Sequence, residues 1–243
     1  MLKEYTMRKH RVLRRHLPET HWYSGKRLHE MVRQYPSVFV KPDKGSQGKG
    51  IVRVRRQSRH RYQVSWGLKH KEVRRSSLLT ELKKVLQSRH RYLVQQGLNL
   101  ARYRKRLFDI RVYMQKPRSH WYVSGKVVRV GAAGRFVTNY YQGARPESVE
   151  KVLGSLFLMT NQKWKKTTRK KINSISKILA KVLDGKFPGI RHLGIDIGID
   201  DDGRIWIIEA NTNPANQTFK RLKDKKMYRK IKDRRRYILK KYK

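Results

Sequence analysis

Cysteine is absent from the 243 residues, which excludes a disulfide framework, a thiolate metal site and a cysteine nucleophile. No apolar run approaches the roughly 20 residues that a membrane-spanning helix needs. The basic start MLKEYTMRKHRVLRRH is not followed by the apolar stretch of a secretory signal. The expectation is a soluble, cytoplasmic chain with no membrane span. Acidic residues are scarce: 17 Asp and Glu stand against 62 Lys and Arg, a formal net charge of +45. Such a chain repels itself and suits surroundings rich in polyanions. Hydrophobic residues, at 37%, still suffice for the core of one large domain or two small ones. The nine histidines are scattered without metal-ligand spacing and read as surface residues.

Because carboxylates are few, the place where they gather is informative. Residues 194–214 read GIDIGIDDDGRIWIIEANTNP, two alternating runs about Asp201, Asp202 and Gly203, the composition of a tight hairpin turn. Alternation puts Ile195, Ile197 and Ile199 on one face and Asp196, Gly198 and Asp200 on the other. In the second run Trp206, Ile208 and Ala210 are expected to oppose Ile207, Glu209 and Asn211. Folding about the turn brings Asp196 opposite Glu209, with side chains roughly 5 Å apart. A divalent cation would turn that repulsion into attraction, and Asn211 would add a neutral oxygen. Taken alone, the stretch also fits a solvated acidic hairpin edge.

Upstream, residues 1–35 read as a lead-in segment with a short helical pattern through Leu28, Met31 and Val32. VFVKP and IVRVRR then flank DKGSQGKG, a glycine-rich hairpin in which Gly45, Gly48 and Gly50 permit close backbone approach to a ligand. Lys41 and Lys49 supply charge suited to phosphate. A P-loop is excluded, since no Gly-Lys-Ser/Thr occurs and a strand follows; a flexible surface hairpin is the competing reading. SRHRYQV and SRHRYLV frame a helix carrying Leu78, Leu79, Leu82, Val85 and Leu86, and YLVQQGLNL ends in a possible connector, Gln95, Gln96 and Gly97. FDIRVYMQ, WYVSGKVVRVG and FVTNYYQG alternate like antiparallel strands. Asp109 and Arg111 share a face of the first, and Arg129 lies on the second. Either arginine suits phosphate or carboxylate binding if it faces a cleft, although in so basic a chain a surface role competes. The spacing predicts a helix over 167–183, stopped at Gly185.

The ordered set VFVKPDKGSQGKGIVRV, YLVQQGLNL, FDIRVYMQ, VTNYYQGA and LGIDIGIDDDGRIWIIEANTNP resembles an ATP-grasp domain, most nearly the endospore coat-associated YheC/YheD-type family. The resemblance runs from about residue 17 to about residue 214. It implies an α+β fold in which two lobes with antiparallel sheets grip a nucleotide: a small lobe over 36–97, a large lobe over 98–219, and a basic tail over 220–243. It implies ATP and Mg2+ as cofactors, with Lys41 on the nucleotide phosphates and Gly45, Ser46, Gln47, Gly48 and Gly50 as the lid. Gln95, Gln96 and Gly97 become the hinge against adenine. Arg111, Arg129 and Asn139 face the terminal phosphate or acyl substrate, and Asp196, Glu209 and Asn211 are the magnesium ligands.

The activity so implied is ATP-dependent joining of an unidentified carboxylate to an amine or similar nucleophile through an acylphosphate, with an association with spores. Against that family the chain reads as a short form. Little of the N-terminal domain that helps build the acceptor site is expected here, so that site is expected to be incomplete or supplied by a partner. A second expectation follows from the charge. From Lys220 onward, basic residues interleave with Tyr228, Tyr237 and Tyr242, which suits nucleic acid or another polyanion bound to a catalytically reduced scaffold.

Overall fold

Alternating runs fold into two antiparallel sheets, each backed by helices, in the computed structural model, which describes residues 1–45, 48–87, 90–136, 138, 143–156 and 162–242. The first sheet contains β1 (Thr20–Trp22), β2 (Ser37–Pro42), β3 (Val52–Arg56), β4 (Arg61–Trp66), β5 (Lys69–Arg74) and β6 (Tyr92–Gln96), in the order β1-β6-β2-β3-β4-β5. Inward residues Val38, Val40, Val52, Val54 and Val64 pack against α2 (Gly25–Gln34) and α3 (Leu78–Val85). Ser24 caps α2 by accepting from the Arg27 amide, and Leu28, Met31 and Val32 form its buried stripe. Strand β5 has no counterpart in the sequence reading. Its residues are exposed except Val73, so it lacks the alternation of a half-buried strand. Its charges protect the edge it occupies.

The second sheet holds β7 (Arg102–Tyr103), β8 (Arg106–Gln115), β9 (Tyr122–Val130), β10 (Arg145–Glu147), β11 (His192–Ile199) and β12 (Ile205–Asn211). Its order is β10-β9-β8-β11-β12, with β7 paired to β8. One face, through Ile110, Val112, Met114, Ile195 and Ile197, buries the apolar sides of α4 (Val149–Leu156) and α5 (Gln162–Lys186). Helix α5 is longer than 167–183 at both ends, and Gly185 lies within it rather than stopping it. Most of the expected strand FVTNYYQG lies outside the described residues.

On the opposite face, Phe219 of α6 (Gln217–Lys220) and Ile231 of α7 (Lys226–Lys241) pack on Tyr113 and Val127. The stretch expected as a basic tail thus contributes a helix docked on the sheet. The lead-in is shared between the two cores. Met7 of α1 (Leu2–Lys9), Leu13 and Leu17 join the core of the second sheet, whereas β1 and α2 complete the first. The chain is therefore α+β with two antiparallel sheets. They face each other across a cleft of about 930 Å³, where Phe136 approaches Phe39 with ring centroids 6.0 Å apart.

One half-buried titratable group ties this packing to pH. Burial beside α7, reinforced by the nearby Arg235 guanidinium, holds His192 down at about 4. The unfolded chain takes up that proton below about 6.5 while the folded chain refuses it until about 4. The stability contributed by neutral His192 is complete above pH 6.5 and is lost as pH falls through 4. Urea unfolding between pH 7 and pH 4 is expected to show a steeper loss for the native chain than for His192→Gln. Equal losses would contradict this assignment.

Candidate functional site

The hairpin of β11 and β12 carries the site's acidic edge. Asp196 pairs directly with Glu209 and Gly194 with Asn211, so Asp196, Glu209 and Asn211 rise on one face as the alternation predicts. The alternation fails one residue later. Ile197 pairs with Ile207, leaving Ile208 as an extra residue in a β-bulge. Ile207 therefore joins Ile205 and Ala210 in the core instead of lying beside Glu209. The turn forms where expected, with Gly203 at φ 77° and the Asp200 carboxylate accepting from the Arg204 amide (2.7 Å) and the Trp206 indole (2.8 Å).

Asp196 is only 6% exposed, and its partners come from the neighbouring strands. Register places Arg111 of β8 beside Asp196, and Arg129 of β9 beside Asp109. Arg111 donates from Nε and Nη2 to the two oxygens of Asp196, the second bond at 2.9 Å. Arg129 donates to Asp109 at 2.7 and 2.5 Å, and its Nη2 also lies 2.8 Å from Asp196. Thr138 adds a hydroxyl bond to Asp109 (2.5 Å). Two carboxylates and two guanidiniums thus make a neutral, buried quartet. Burial alone would raise the pKa of Asp196, but Arg111 and Arg129 outweigh it and hold the group at about 2. Burial pushes Asp109 up against the opposing pull of Arg129, with the Asp196 charge adding to the rise. Arg129 stays protonated because the two carboxylates outweigh its desolvation. Neither Nη1 takes part in these ion pairs.

Across the cleft, Lys41 extends from β2 and donates to Gln95 Oε1 (2.9 Å), and the Gln95 amide donates to Thr20 (2.8 Å). Burial lowers the Lys41 pKa, offset by Glu4, Glu209 and Asp43. Gly48 and Gly50 adopt φ of 69° and 73°, backbone that only glycine takes without strain. Ser46, Gln47 and Asn139 lie outside the described residues. Gln96 accepts from the Glu19 amide (3.1 Å), and the Gly97 amide donates to Ser37 (2.8 Å). A Cβ at Gly97 would meet that serine at 2.1 Å, so glycine is required where β6 leaves the sheet. Lys41, Gly45, Gly48, Gln95, Gln96, Gly97, Arg111, Arg129, Asp196, Glu209 and Asn211 all line the one cleft. The sequence reading assigned no role to Thr20, Thr138, Phe136 or Lys3, whose Nζ binds the Ala210 carbonyl at 2.7 Å. It placed Asp109 on the face of Arg111 but gave it no partner.

The donor set can be tested against a magnesium ion. Glu209 is exposed on the cleft side, and Asn211 Oδ1 accepts a single bond, from the Asn213 amide (2.9 Å). Both oxygens of Asp196 are already taken by guanidiniums, which differs from the expected three-ligand set. Among the described residues no cluster of three or more His, Cys, Asp or Glu could hold a metal by itself. Two available donors suit an ion that keeps waters and takes its remaining ligands from substrate phosphates.

A family model described as YheC/D like ATP-grasp matches residues 5–238. The chain belongs to this family. ATP-grasp relatives among curated proteins include endospore coat-associated protein YheC of Bacillus subtilis, 26% identical over 90% of this chain and 60% of that protein. YheD of the same organism is 25% identical over 79% of this chain and 42% of that protein. The chain thus spans about half the length of the curated relatives it matches. Among solved structures, N5-carboxyaminoimidazole synthase from Aspergillus clavatus, in complex with ADP and 5-aminoimidazole ribonucleotide, superposes with a TM-score of 0.53. It is 11% identical, over 88% of this chain and 44% of its own. D-cycloserine synthetase DcsG gives 0.52 at 8% identity, over 91% and 65%. These likenesses carry the fold: the two sheets and their cleft are those of an ATP-grasp protein. Its expected α+β class is the one observed.

The quartet separates stability from chemistry. Asp196→Asn leaves Arg111 and part of Arg129 buried without a counter-charge and is expected to cost about 3–5 kcal/mol. Glu209→Gln, at an exposed position, is expected to change stability by no more than about 0.5 kcal/mol. Urea denaturation at neutral pH measures both, and equal effects would remove the distinction.

Proposed function

We propose that the chain is an ATP- and magnesium-dependent ligase that joins a carboxylate to an amine or a similar nucleophile. The observation that carries this reading is the opposition, across one cleft, of Lys41 under a glycine-rich hairpin and the Arg111–Arg129 pair beside Glu209 and Asn211. A triphosphate lying between them meets Lys41 and the backbone at Gly45, Gly48 and Lys49 on one side. Its adenine meets the backbone at Gln96 and Gly97, and its terminal phosphate faces the Nη1 groups of the two arginines. Magnesium, when bound through Glu209 and Asn211, supplies neutralisation of phosphate charge.

In the reaction, a carboxylate oxygen forms a bond to the γ-phosphorus as the bond to the β-γ bridging oxygen breaks and ADP departs. The acylphosphate carbon is then attacked by the amine, which loses a proton as inorganic phosphate leaves. The residues contribute positioning and charge, and no nucleophilic side chain is needed. Arg111 and Arg129 are pre-oriented by Asp196 and Asp109, so little reorganisation accompanies charge development. The description of the curated relatives as endospore coat-associated supports a role at the spore.

ADP release measured over a panel of carboxylates and amines tests the proposal. Release is expected to require magnesium and one member of each class, and to fall about 100-fold or more in Glu209→Gln or Lys41→Met. Absence of ATP binding with magnesium, or nucleotide affinity unchanged when both positions are altered, would overturn it.

A further inference from the structure

Along the face of the second sheet that carries the quartet, beyond Tyr113, helix α7 presents a stripe that the cleft does not use. Arg234, Tyr237 and Lys241 follow one another at i, i+3 and i+7 and so share one side of the helix. Neighbouring elements extend that side with charge and rings. Arg234 lies over Tyr122 of β9 (4.8 Å to the ring centroid) and donates to Ser124 (2.8 Å). Arg118, from the β8–β9 connection, donates to the Tyr237 hydroxyl (3.2 Å). Arg191, preceding β11, stacks 3.6 Å over Tyr242 and donates to the Arg118 carbonyl (2.8 Å). Lys241 lies 5.9 Å from the Tyr237 ring and 5.8 Å from the Tyr242 ring.

Two properties decide what such a surface can hold. First, none of Arg118, Arg191, Arg234 and Lys241 is in an ion pair with a carboxylate among the described residues, so four cations, Arg118 and Lys241 exposed and Arg191 and Arg234 half-buried, are left without a carboxylate partner. The nearby Asp233 is directed to Arg236. Second, the rings of Tyr122, Tyr237 and Tyr242 stand 44%, 37% and 40% exposed. A guanidinium on one side of a ring leaves the other side to a planar group, giving an extended base–ring–guanidinium stack.

We propose that this stripe binds single-stranded nucleic acid, phosphates on the cations and unpaired bases on the tyrosines. Duplex is disfavoured because its bases are already stacked on one another. An acidic polypeptide would satisfy the cations but gains nothing from three rings. The rest of the basic surface offers a comparison: the shallow depression around His29, His60, Arg61, Arg74 and Arg75 carries three arginines but is lined by no tyrosine.

Fluorescence anisotropy of the full chain with a labelled oligouridylate or oligothymidylate of about 12 nucleotides, without ATP, tests the proposal. Y237A/Y242A is expected to weaken binding about 30-fold or more with an unchanged salt slope, while Y237F/Y242F binds as the native chain does. R118A/R191A is expected to flatten the slope of log affinity against log salt by about 1.4. R74A/R75A is expected to have little effect. The proposal is overturned if Y237A/Y242A binds like the native chain, if R74A/R75A weakens binding as much as R118A/R191A, or if polyglutamate of equal charge competes as well as the oligonucleotide. ADP release is untouched by these variants, so failure here and failure of the ligase reading are separately visible.

Discussion

Everything on the cleft side of the second sheet depends on how Asp196 is neutralised. A carboxylate almost removed from water is costly unless it is paired and fully hydrogen-bonded. Here the compensation comes from three adjacent strands, β8, β9 and β11, each placing one or two charged residues on the same face by alternation. The pairing fixes the register of those strands as firmly as the apolar core beneath them, because a one-residue slip would send Arg111 into that core. It also fixes where two guanidiniums point. A structural constraint and a chemical one are therefore met by the same four side chains.

The opposite wall of the cleft is organised by the same economy of charge. Lys41 is desolvated, and its amine is aimed by Gln95, which is itself held by Thr20 of β1. That chain of bonds explains why residues 1–35 cannot be set aside as a lead-in: β1 closes the sheet beside β6 and supplies the hydroxyl that orients the glutamine. Gly97 plays a geometric part, admitting the backbone of Ser37 where a side chain would collide.

Period-2 alternation made the hairpin, its turn and the Asp196–Glu209 pairing legible in the sequence, and it put Asp109 and Arg111 on one face. It could not reveal the bulge at Ile208, since an extra residue breaks the period without altering composition. Nor could it show that Asp196 is bonded to Arg111 and Arg129, because that depends on the neighbouring strands' register. Strand β5 escaped for a related reason: an edge strand bearing charges on nearly every residue carries no hydrophobic period. Ile231 and Ile238 stand at helical spacing in the helix at 226–241, yet its docking rests on Phe219 and Tyr113, two aromatics from other elements.

The neutral quartet also constrains how an anion is recognised. Paired charges project little field, so in the proposed reaction the long-range attraction of a triphosphate falls to Lys41 and its surroundings and to the cationic exterior. Near the quartet, the recognition proposed is short-range: Nε and Nη2 of both arginines are committed to carboxylates, and it is the Nη1 groups that would meet an incoming oxygen. A guanidinium presents its five donors in a rigid fork, so fixing two of them fixes the direction of the rest. Lysine at 111 or 129 would keep the charge and lose that direction. The scarcity of acidic residues then acquires a structural meaning. Two of the few carboxylates are buried to aim arginines inward, and those on the stripe of α7 are too few to mask the cations turned outward.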